Sequence, residues 1–99
     1  MPAPYEEFNP DVDKHRELAD AIVDVLQETD KEYLPTGAVQ DKLIERGWAS
    51  ESNKDGTWSP GWLRILITYA RPYLIDQERV ETTEKQRQGL PTHYWKAVE

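Results

Sequence analysis

The sequence predicts an α+β fold in which three helices precede a β-hairpin. Apolar residues recur at helical spacing in two segments of the first half, and the pair Ser59-Pro60 opens a third apolar run as a helix start. Residues 79–83 and 92–98 are rich in β-branched and aromatic side chains, which is typical of strands. A chain of 99 residues has room for one such domain and no second one.

The first helix is predicted to begin near Asp11 to Asp13, where acidic side chains suit a helix N-terminus, and to end near Glu28. At about 100° per residue, its apolar and acidic side chains fall on opposite faces. The apolar face consists of Leu18, Ile22, Val25 and Leu26, and the acidic stripe of Asp13, Glu17, Asp20 and Asp24. Residues 1–11 include three prolines and show no periodicity, so we expect a flexible N-terminal arm there.

The second helix is predicted to be short. Thr36 is placed to cap it and Gly47 to stop it. Just before it, Tyr33 and Leu34 suit a short extended piece and a candidate third strand, because the following proline disfavours helical geometry. Residues 49–57 are polar turn formers and are expected to form a loop.

The third helix has the clearest local signature, with Ser59 as N-cap and Pro60 at the first helical position. Pro72 removes an intrahelical hydrogen bond, so the helix is expected to end or kink near Arg71. The side expected to enter the core carries Trp62, Leu63, Leu66, Ala70 and Tyr73. The opposite side carries Arg64, Thr68 and Arg71. The aromatic residues expected at the surface are Trp58, Tyr69 and Trp95.

The hairpin is predicted to have strands at residues 79–83 and 92–98. A loop over residues 84–91 connects them, with Gly89 and Pro91 as turn residues. Lys85 and Arg87 make this loop basic.

The formal net charge of -7 is unevenly distributed. Residues 1–55 hold fourteen acids and six Lys or Arg, a net of -8, whereas residues 56–99 hold five acids and six Lys or Arg, a net of +1. Residues 56–75 and 85–98 contain no acid. Positive charge is therefore local to the third helix and the hairpin, which weakens the objection that an acidic chain otherwise raises against nucleic-acid binding.

The order helix, short extended piece, helix, helix, strand, loop and strand resembles the winged helix-turn-helix superfamily, over roughly residues 12–98. The expected fold is an α+β winged helix, with three helices and a small antiparallel hairpin wing in a single domain of residues 12–99. The resemblance implies that the third helix lies in the major groove of DNA and that the wing contacts the backbone or the minor groove. By position, the implied nucleic-acid site is Ser59, Gly61, Arg64, Thr68, Arg71, Lys85, Gln86, Arg87 and Gln88.

The function implied by this resemblance is sequence-specific binding of double-stranded DNA by a small transcription regulator or a phage- or plasmid-type accessory protein. A homodimer or a protein partner is expected to raise the affinity of so small a module. One alternative is a winged-helix module that docks another protein through its acidic first helix or its aromatic surface. A third is an acidic mimic of DNA that inhibits a nucleic-acid enzyme.

Catalytic signatures are missing from the sequence. His15 and His93 are its only histidines, it has no cysteine, and neither a glycine-rich phosphate loop nor a nucleophile elbow occurs. We therefore expect no enzyme activity, no metal and no cofactor. The first thirteen residues lack the features of a signal peptide and no apolar run reaches about 20 residues, so a cytoplasmic location without membrane contact is expected.

Overall fold

The computed structural model describes residues 7–29, 31–50 and 58–98, which form three helices and a three-stranded antiparallel sheet. The elements are α1 (Asp13–Glu28), β1 (Leu34–Pro35), α2 (Thr36–Glu45), α3 (Pro60–Asp76), β2 (Val80–Arg87) and β3 (Leu90–Ala97). The predicted α+β fold class is confirmed, and the element order gives a winged-helix-like arrangement. Most of the predicted loop at residues 49–57 lies outside the described residues.

Strand β3 is the centre of the sheet, between β1 and β2. Leu34 of β1 and Thr82 of β2 both pair with Trp95, so one row of side chains crosses all three strands. The candidate third strand is confirmed, although it begins one residue later than Tyr33.

The hairpin turn is much shorter than the predicted loop of residues 84–91. Strand β2 pairs with β3 along its whole length, so that only Gln88 and Gly89 connect the two strands. Both residues have positive φ angles, 54° and 81°, which is the geometry of a tight two-residue hairpin turn. The composition of residues 84–87 does not predict a strand, because Glu and Lys have little preference for strands. The strand forms because these residues pair with β3.

The core lies between the three helices and the inner face of the sheet. Its largest fully buried side chains are Trp95, Phe8, Leu18, Ile22, Leu43, Leu63, Leu66, Ile67 and Leu74. The predicted apolar face of α1 is buried throughout, as expected from its spacing. Burying a side chain of this size contributes about 1.5–3 kcal/mol to folding, so these residues account for most of the cohesion of the domain.

Trp95 is fully buried, and its predicted place at the surface is wrong. Alternation along β3 turns Trp95 and Ala97 toward the helices and places Tyr94 and Lys96 on the outer face of the sheet. The indole N–H donates to the hydroxyl of Thr36, with 2.8 Å between Nε1 and Oγ1. This hydrogen bond satisfies the polar group of the indole and so permits complete burial.

Thr36 is the first residue of α2 and does not cap it, which corrects its predicted role. Pro35 occupies the N-cap position. The hydroxyl of Thr36 points into the core, where it accepts from Trp95 and donates to the carbonyl of His93 at 3.3 Å. A buried indole N–H requires an acceptor, so the hydroxyl of Thr36 hydrogen-bonds to β3 and does not cap the start of α2. At its other end α2 stops before Gly47, as predicted, and the φ of Gly47 is 86°.

The start of α3 confirms the predicted cap. Ser59 Oγ accepts a hydrogen bond from the N–H of Trp62 at 3.2 Å, and Pro60 is the first helical residue. Of the prediction that α3 ends or kinks near Arg71, the end is wrong, because the helix continues through Pro72 to its last residue at position 76. The turn that follows the proline packs Leu74 into the core, and this burial offsets the missing hydrogen bond.

Trp62 lies at the surface with 36% of its area exposed, so its predicted place in the core is wrong. The buried residues of α3 are Leu63, Leu66, Ile67, Ala70 and Leu74. At about 100° per residue, the buried face of α3 is rotated about the helix axis, toward Ile67, relative to the face predicted to be buried. Trp62 therefore falls outside the buried face.

The predicted flexible arm of residues 1–11 is wrong for its described part. Residues 1–6 lie outside the described residues, but Phe8 is fully buried. Its ring centroid lies 5.5 Å from that of His15 and 5.1 Å from that of Tyr73. The N–H of Asn9 donates to His15 Nδ1 at 2.9 Å, which fixes the chain ahead of α1. One buried aromatic ring thus anchors a segment whose prolines suggest no regular structure.

His15 should make the domain less stable in mildly acidic solution. Partial burial lowers the pKa of His15 below its usual value of 6.5. The unfolded chain then binds a proton more readily than the folded one, so the free energy of unfolding should decrease as the pH falls through 6.5 toward the folded pKa. Urea unfolding of the wild type and of His15→Gln across this range measures the effect. An identical pH dependence in both proteins would contradict the prediction.

Ser59→Ala should destabilise the domain by about 1 kcal/mol, because the first turn of α3 loses a side-chain acceptor for its free N–H groups. Ser59→Asp is the control, since a carboxylate also accepts this hydrogen bond. Equilibrium denaturation gives both values, and an unchanged midpoint for the alanine variant would show that the cap contributes nothing.

Thr36→Val should cost about 1–3 kcal/mol, because it keeps the shape of the side chain and leaves the indole N–H of Trp95 buried without its acceptor. In a double-mutant cycle with Trp95→Phe, which removes the donor, the loss of the hydroxyl should matter less. Urea denaturation of the four proteins measures the coupling energy. Strict additivity of the two changes would exclude the proposed energetic link.

Candidate nucleic-acid interface

The outward face of α3 combines two arginines with apolar side chains. Arg64, Thr68 and Arg71 form a stripe along the helix, in which Arg64 and Thr68 are exposed and Arg71 is half-buried. Beside the stripe lie Trp62 and Ile65, which are 36% and 40% exposed. The helix contains no acidic residue before its last position. This face, which we call the α3 face, is therefore cationic along one side and apolar along the other.

Gln40 of α2 holds the guanidinium of Arg64 in place. Arg64 Nη1 donates to Gln40 Oε1 at 2.9 Å, and Gln40 Nε2 donates to the carbonyl of Pro60 at 3.0 Å. The same Nη1 lies 3.8 Å from the position that a Cβ would take at Gly37, near the start of α2. One carboxamide thus fixes Arg64 against the first turn of α3. Because the contact uses one of several N–H donors, the guanidinium keeps others for a ligand.

Arg71 carries a buried donor without a partner. Its Nε is shielded from solvent and forms no hydrogen bond within the described residues. Leaving a buried donor of a charged group unsatisfied is costly, so most such groups in proteins have an acceptor. The buried Nε is out of reach of an external ligand, so only the terminal amino groups of this half-buried guanidinium could donate to a phosphate oxygen.

Ion pairing separates the two arginines of the α3 face from the other arginines whose side chains are described. Those others each pair with a carboxylate: Arg16 with Asp13, Arg46 with Glu28, and Arg79 with Asp20. Within residues 7–29, 31–50 and 58–98, neither Arg64 nor Arg71 forms an ion pair. The pairing also neutralises two members of the predicted acidic stripe on α1, while no described carboxylate pairs with the arginines of the α3 face.

The predicted wing residues lie on a strand and a turn and not in a loop. Lys85 and Gln86 belong to β2 and are exposed, and alternation along the strand places them on opposite faces of the sheet. Gln88 is exposed in the turn, and Arg87 ends β2 with a side chain outside the described ones. The ammonium of Lys85 lies 5.8 Å from the ring centroid of Tyr94, in cation–π contact.

The remaining predicted site residues differ in what they have left to offer a ligand. The hydroxyl of Ser59 already caps α3, and the hydroxyl of Thr68 donates to the carbonyl of Arg64 at 2.9 Å. Gly61 is exposed, and a Cβ added there would meet no atom within 4 Å. Among the described residues, no atom therefore blocks close approach of an anion to Gly61 at the amino end of α3, where the N–H groups and the positive end of the dipole lie.

Sequence reasoning missed three residues of this region. Gln40 acts through the crossing of α2 and α3, which no spacing in the sequence encodes. Ile65 fits neither the basic nor the apolar stripe of its helix, and this misfit is a readable sign of an exposed apolar side chain. Leu90, next to the hairpin turn, is 68% exposed, more than the other large apolar residues found at the surface. Its position beside a turn that contains glycine also indicates an exposed apolar side chain.

No protein-family model matches the chain, and neither a curated protein nor a solved structure matches it. In the part of the chain that the structure describes, no helix is long and apolar enough to cross a membrane. The same part contains no group of three or more His, Asp or Glu side chains that could hold a metal ion. Function is therefore inferred from the chemistry of the α3 face and the hairpin.

Proposed function

We propose that the protein binds double-stranded DNA sequence-specifically, with α3 in the major groove and the β2–β3 hairpin against the backbone. One observation carries the proposal: in a chain of net charge -7, the α3 face keeps two arginines without a carboxylate partner among the described residues. The other arginines with described side chains, Arg16, Arg46 and Arg79, each pair with a carboxylate. An uncompensated cationic helix face in a winged-helix-like arrangement favours a polyanionic ligand.

Arg64 and Ile65 suit the reading of base edges. A guanidinium can donate two hydrogen bonds to O6 and N7 of one guanine, and an apolar side chain can contact the methyl group of thymine. Because Gln40 already holds Arg64, less side-chain freedom is lost when DNA binds. The two neighbouring side chains thus supply one polar and one apolar contact to the groove.

Arg71, Lys85 and the amino end of α3 suit phosphate groups. Arg71 lies half-buried on the α3 face, Lys85 is exposed on the hairpin, and the first N–H groups of α3 lie at the positive end of its dipole. Gln88 in the exposed turn adds a neutral donor. Contacts of this kind fix the orientation and register of a protein on the duplex, while base contacts give the sequence preference.

A small transcription regulator or a phage- or plasmid-type accessory protein fits a DNA-binding domain of this size. We propose a cytoplasmic location for a protein in this role. The role requires neither a cofactor nor a catalytic group.

Binding of a protein partner is the second candidate function. Trp62 and Ile65, three residues apart on α3, are both exposed. Tryptophan and arginine are frequent anchors of protein interfaces, and exposed apolar groups at their centre are buried on association. In this alternative the indole of Trp62 is the central contact and the two arginines lie at the rim.

Reversing the charge of the α3 face tests DNA binding. Arg64→Glu with Arg71→Glu should abolish retention of duplex DNA at low salt, because two attractive contacts become repulsive. Selection from random duplexes identifies a target, and fluorescence anisotropy then measures affinity at several salt concentrations. Each lost phosphate contact should lower the slope of log K against log salt by about 0.9. Thermal stability of Arg64→Glu should stay nearly unchanged, because exposed charges contribute little to folding.

Lys31→Glu with Lys42→Glu is the matched control. It changes the net charge equally at two exposed residues outside the α3 face and the hairpin. Equal loss of binding in this control would attribute the effect to net charge. If the wild type retains no duplex at low salt and Trp62→Ala abolishes association with a protein partner, protein binding replaces DNA binding as the function.

A further inference from the structure

The outer edge of β2 has no partner strand in the described structure. The sheet order β1-β3-β2 places β2 at one edge, where its eight residues pair only with β3. An open hollow of about 620 Å³ borders its first half, lined by Ile75, Val80 and Glu81 among others. A free edge of this length presents a row of N–H and C=O groups that can pair with another strand.

Alternate residues of β2 direct these backbone groups outward. The two-residue turn makes Arg87 and Leu90 a hydrogen-bonded pair, so the odd-numbered residues of β2 face β3. The hydrogen bond from the N–H of Val98 to the carbonyl of Arg79, at 2.9 Å, follows the same alternation. The backbone groups that point away from β3 therefore belong to Val80, Thr82, Glu84 and Gln86.

The charges on β2 match a second copy of the same strand in one antiparallel register. Hydrogen bonds between two β2 edges can form only between the backbone N–H and C=O groups that point away from β3. Because these groups belong to even-numbered residues, even-numbered residues of one copy lie opposite even-numbered residues of the other. When Thr83 faces its own copy, Glu81 faces Lys85 of the partner copy, and symmetry repeats this pair. Centring on Glu84 also sets Glu81 opposite the position of Arg87 in the partner copy, but it places the two Glu84 residues directly opposite each other. Centring on Thr82 forms no ion pair. Complementary charge therefore favours the register centred on Thr83.

We propose that two copies of the chain associate through the outer edges of β2, antiparallel and centred on Thr83, to form a six-stranded sheet. The two Glu81–Lys85 pairs occupy non-hydrogen-bonded positions, where opposing side chains are closest. The outward groups of Thr82 and Glu84 hydrogen-bond to those of Glu84 and Thr82 of the partner copy. This interface uses backbone groups that face away from β3 and that no other described strand pairs with.

The dimer is weak and salt-sensitive. Stable interfaces bury about 1,200–2,000 Å², which is more than one short pair of strands provides. We therefore expect a dissociation constant on the order of 0.1 mM for the dimer. Exposed ion pairs are screened by salt, so association weakens as ionic strength rises.

The proposed symmetry also sets the distance between the two hairpin turns. Gln88 lies five residues beyond Thr83, and at about 3.4 Å per residue the two turns are about 34 Å apart. This is close to one turn of DNA, the spacing of half-sites for dimeric helix-turn-helix proteins. This consequence rests on the proposed DNA binding, whereas the dimer itself does not.

Cross-linking by a single introduced cysteine tests the register, since the natural chain has none. Thr83→Cys should form a disulfide-linked dimer under mild oxidation at about 0.1 mM, because facing non-hydrogen-bonded residues have Cα atoms about 4.5 Å apart, within disulfide range. Glu81→Cys and Lys85→Cys are matched controls from the same face. Each lies about 14 Å from its own copy and should cross-link at least tenfold more slowly. Equal rates for the three variants would overturn the proposed register.

Charge complementation tests the same interface without a covalent bond. Glu81→Lys and Lys85→Glu should each weaken self-association about tenfold, measured by sedimentation at low salt without DNA. Their equimolar mixture should restore a heterodimer, because Lys at position 81 then faces Glu at position 85 and the natural residues form the other pair. Glu45→Lys and Lys42→Glu, exposed on α2, are the controls and should leave association unchanged. A monomeric wild type at about 1 mM would refute the dimer, and a mixture no stronger than either variant would refute its ion pairs, whatever the outcome of DNA binding.

Discussion

The hydrogen bond between the indole of Trp95 and the hydroxyl of Thr36 is the contact on which the arrangement of the domain depends. It lies in the core and joins the central strand β3 to the first residue of α2. Because Thr36 also donates to the carbonyl of His93, the start of α2 is fixed against the sheet. The helix then carries Gln40 to α3, where its carboxamide holds Arg64. The orientation of an exposed guanidinium thus follows from the packing of a buried tryptophan.

Local pairing explains how an acidic chain offers a cationic face. Arg79 of the segment before β2 neutralises Asp20, and Arg46 after α2 neutralises Glu28, so basic groups near the acidic helix are used there. The α3 face has no acid of its own until the last residue of the helix, and tertiary packing brings none of the described carboxylates within ion-pair distance. Net charge therefore describes the chain poorly, because binding responds to the charge of the contacting face.

The two proposed surfaces use different chemistry. The α3 face offers side-chain donors and apolar groups, whereas the edge of β2 offers backbone donors and acceptors in a register selected by Glu81 and Lys85. A domain with few groups able to contact bases gains affinity when a second copy doubles those contacts. The edge of β2 provides that second copy without using any residue of the α3 face, and Lys85 is the one residue that both proposals use.

The sequence by itself determined the order of the elements, the Ser59-Pro60 start of α3 and the stop of α2 at Gly47. Caps, turn residues and hydrophobic spacing act over a few neighbouring residues, so they can be read locally. Most of the candidate site could likewise be read from Arg64, Thr68 and Arg71 on one helix stripe. Only the tertiary structure decided that Trp95 and Phe8 are buried, that Trp62 is exposed, that α3 passes through Pro72, and that Gln40 holds Arg64. The physical reason is that these outcomes depend on contacts between distant parts of the chain. Thr36 and Trp95, 59 positions apart, share a hydrogen bond that neither residue's neighbours reveal.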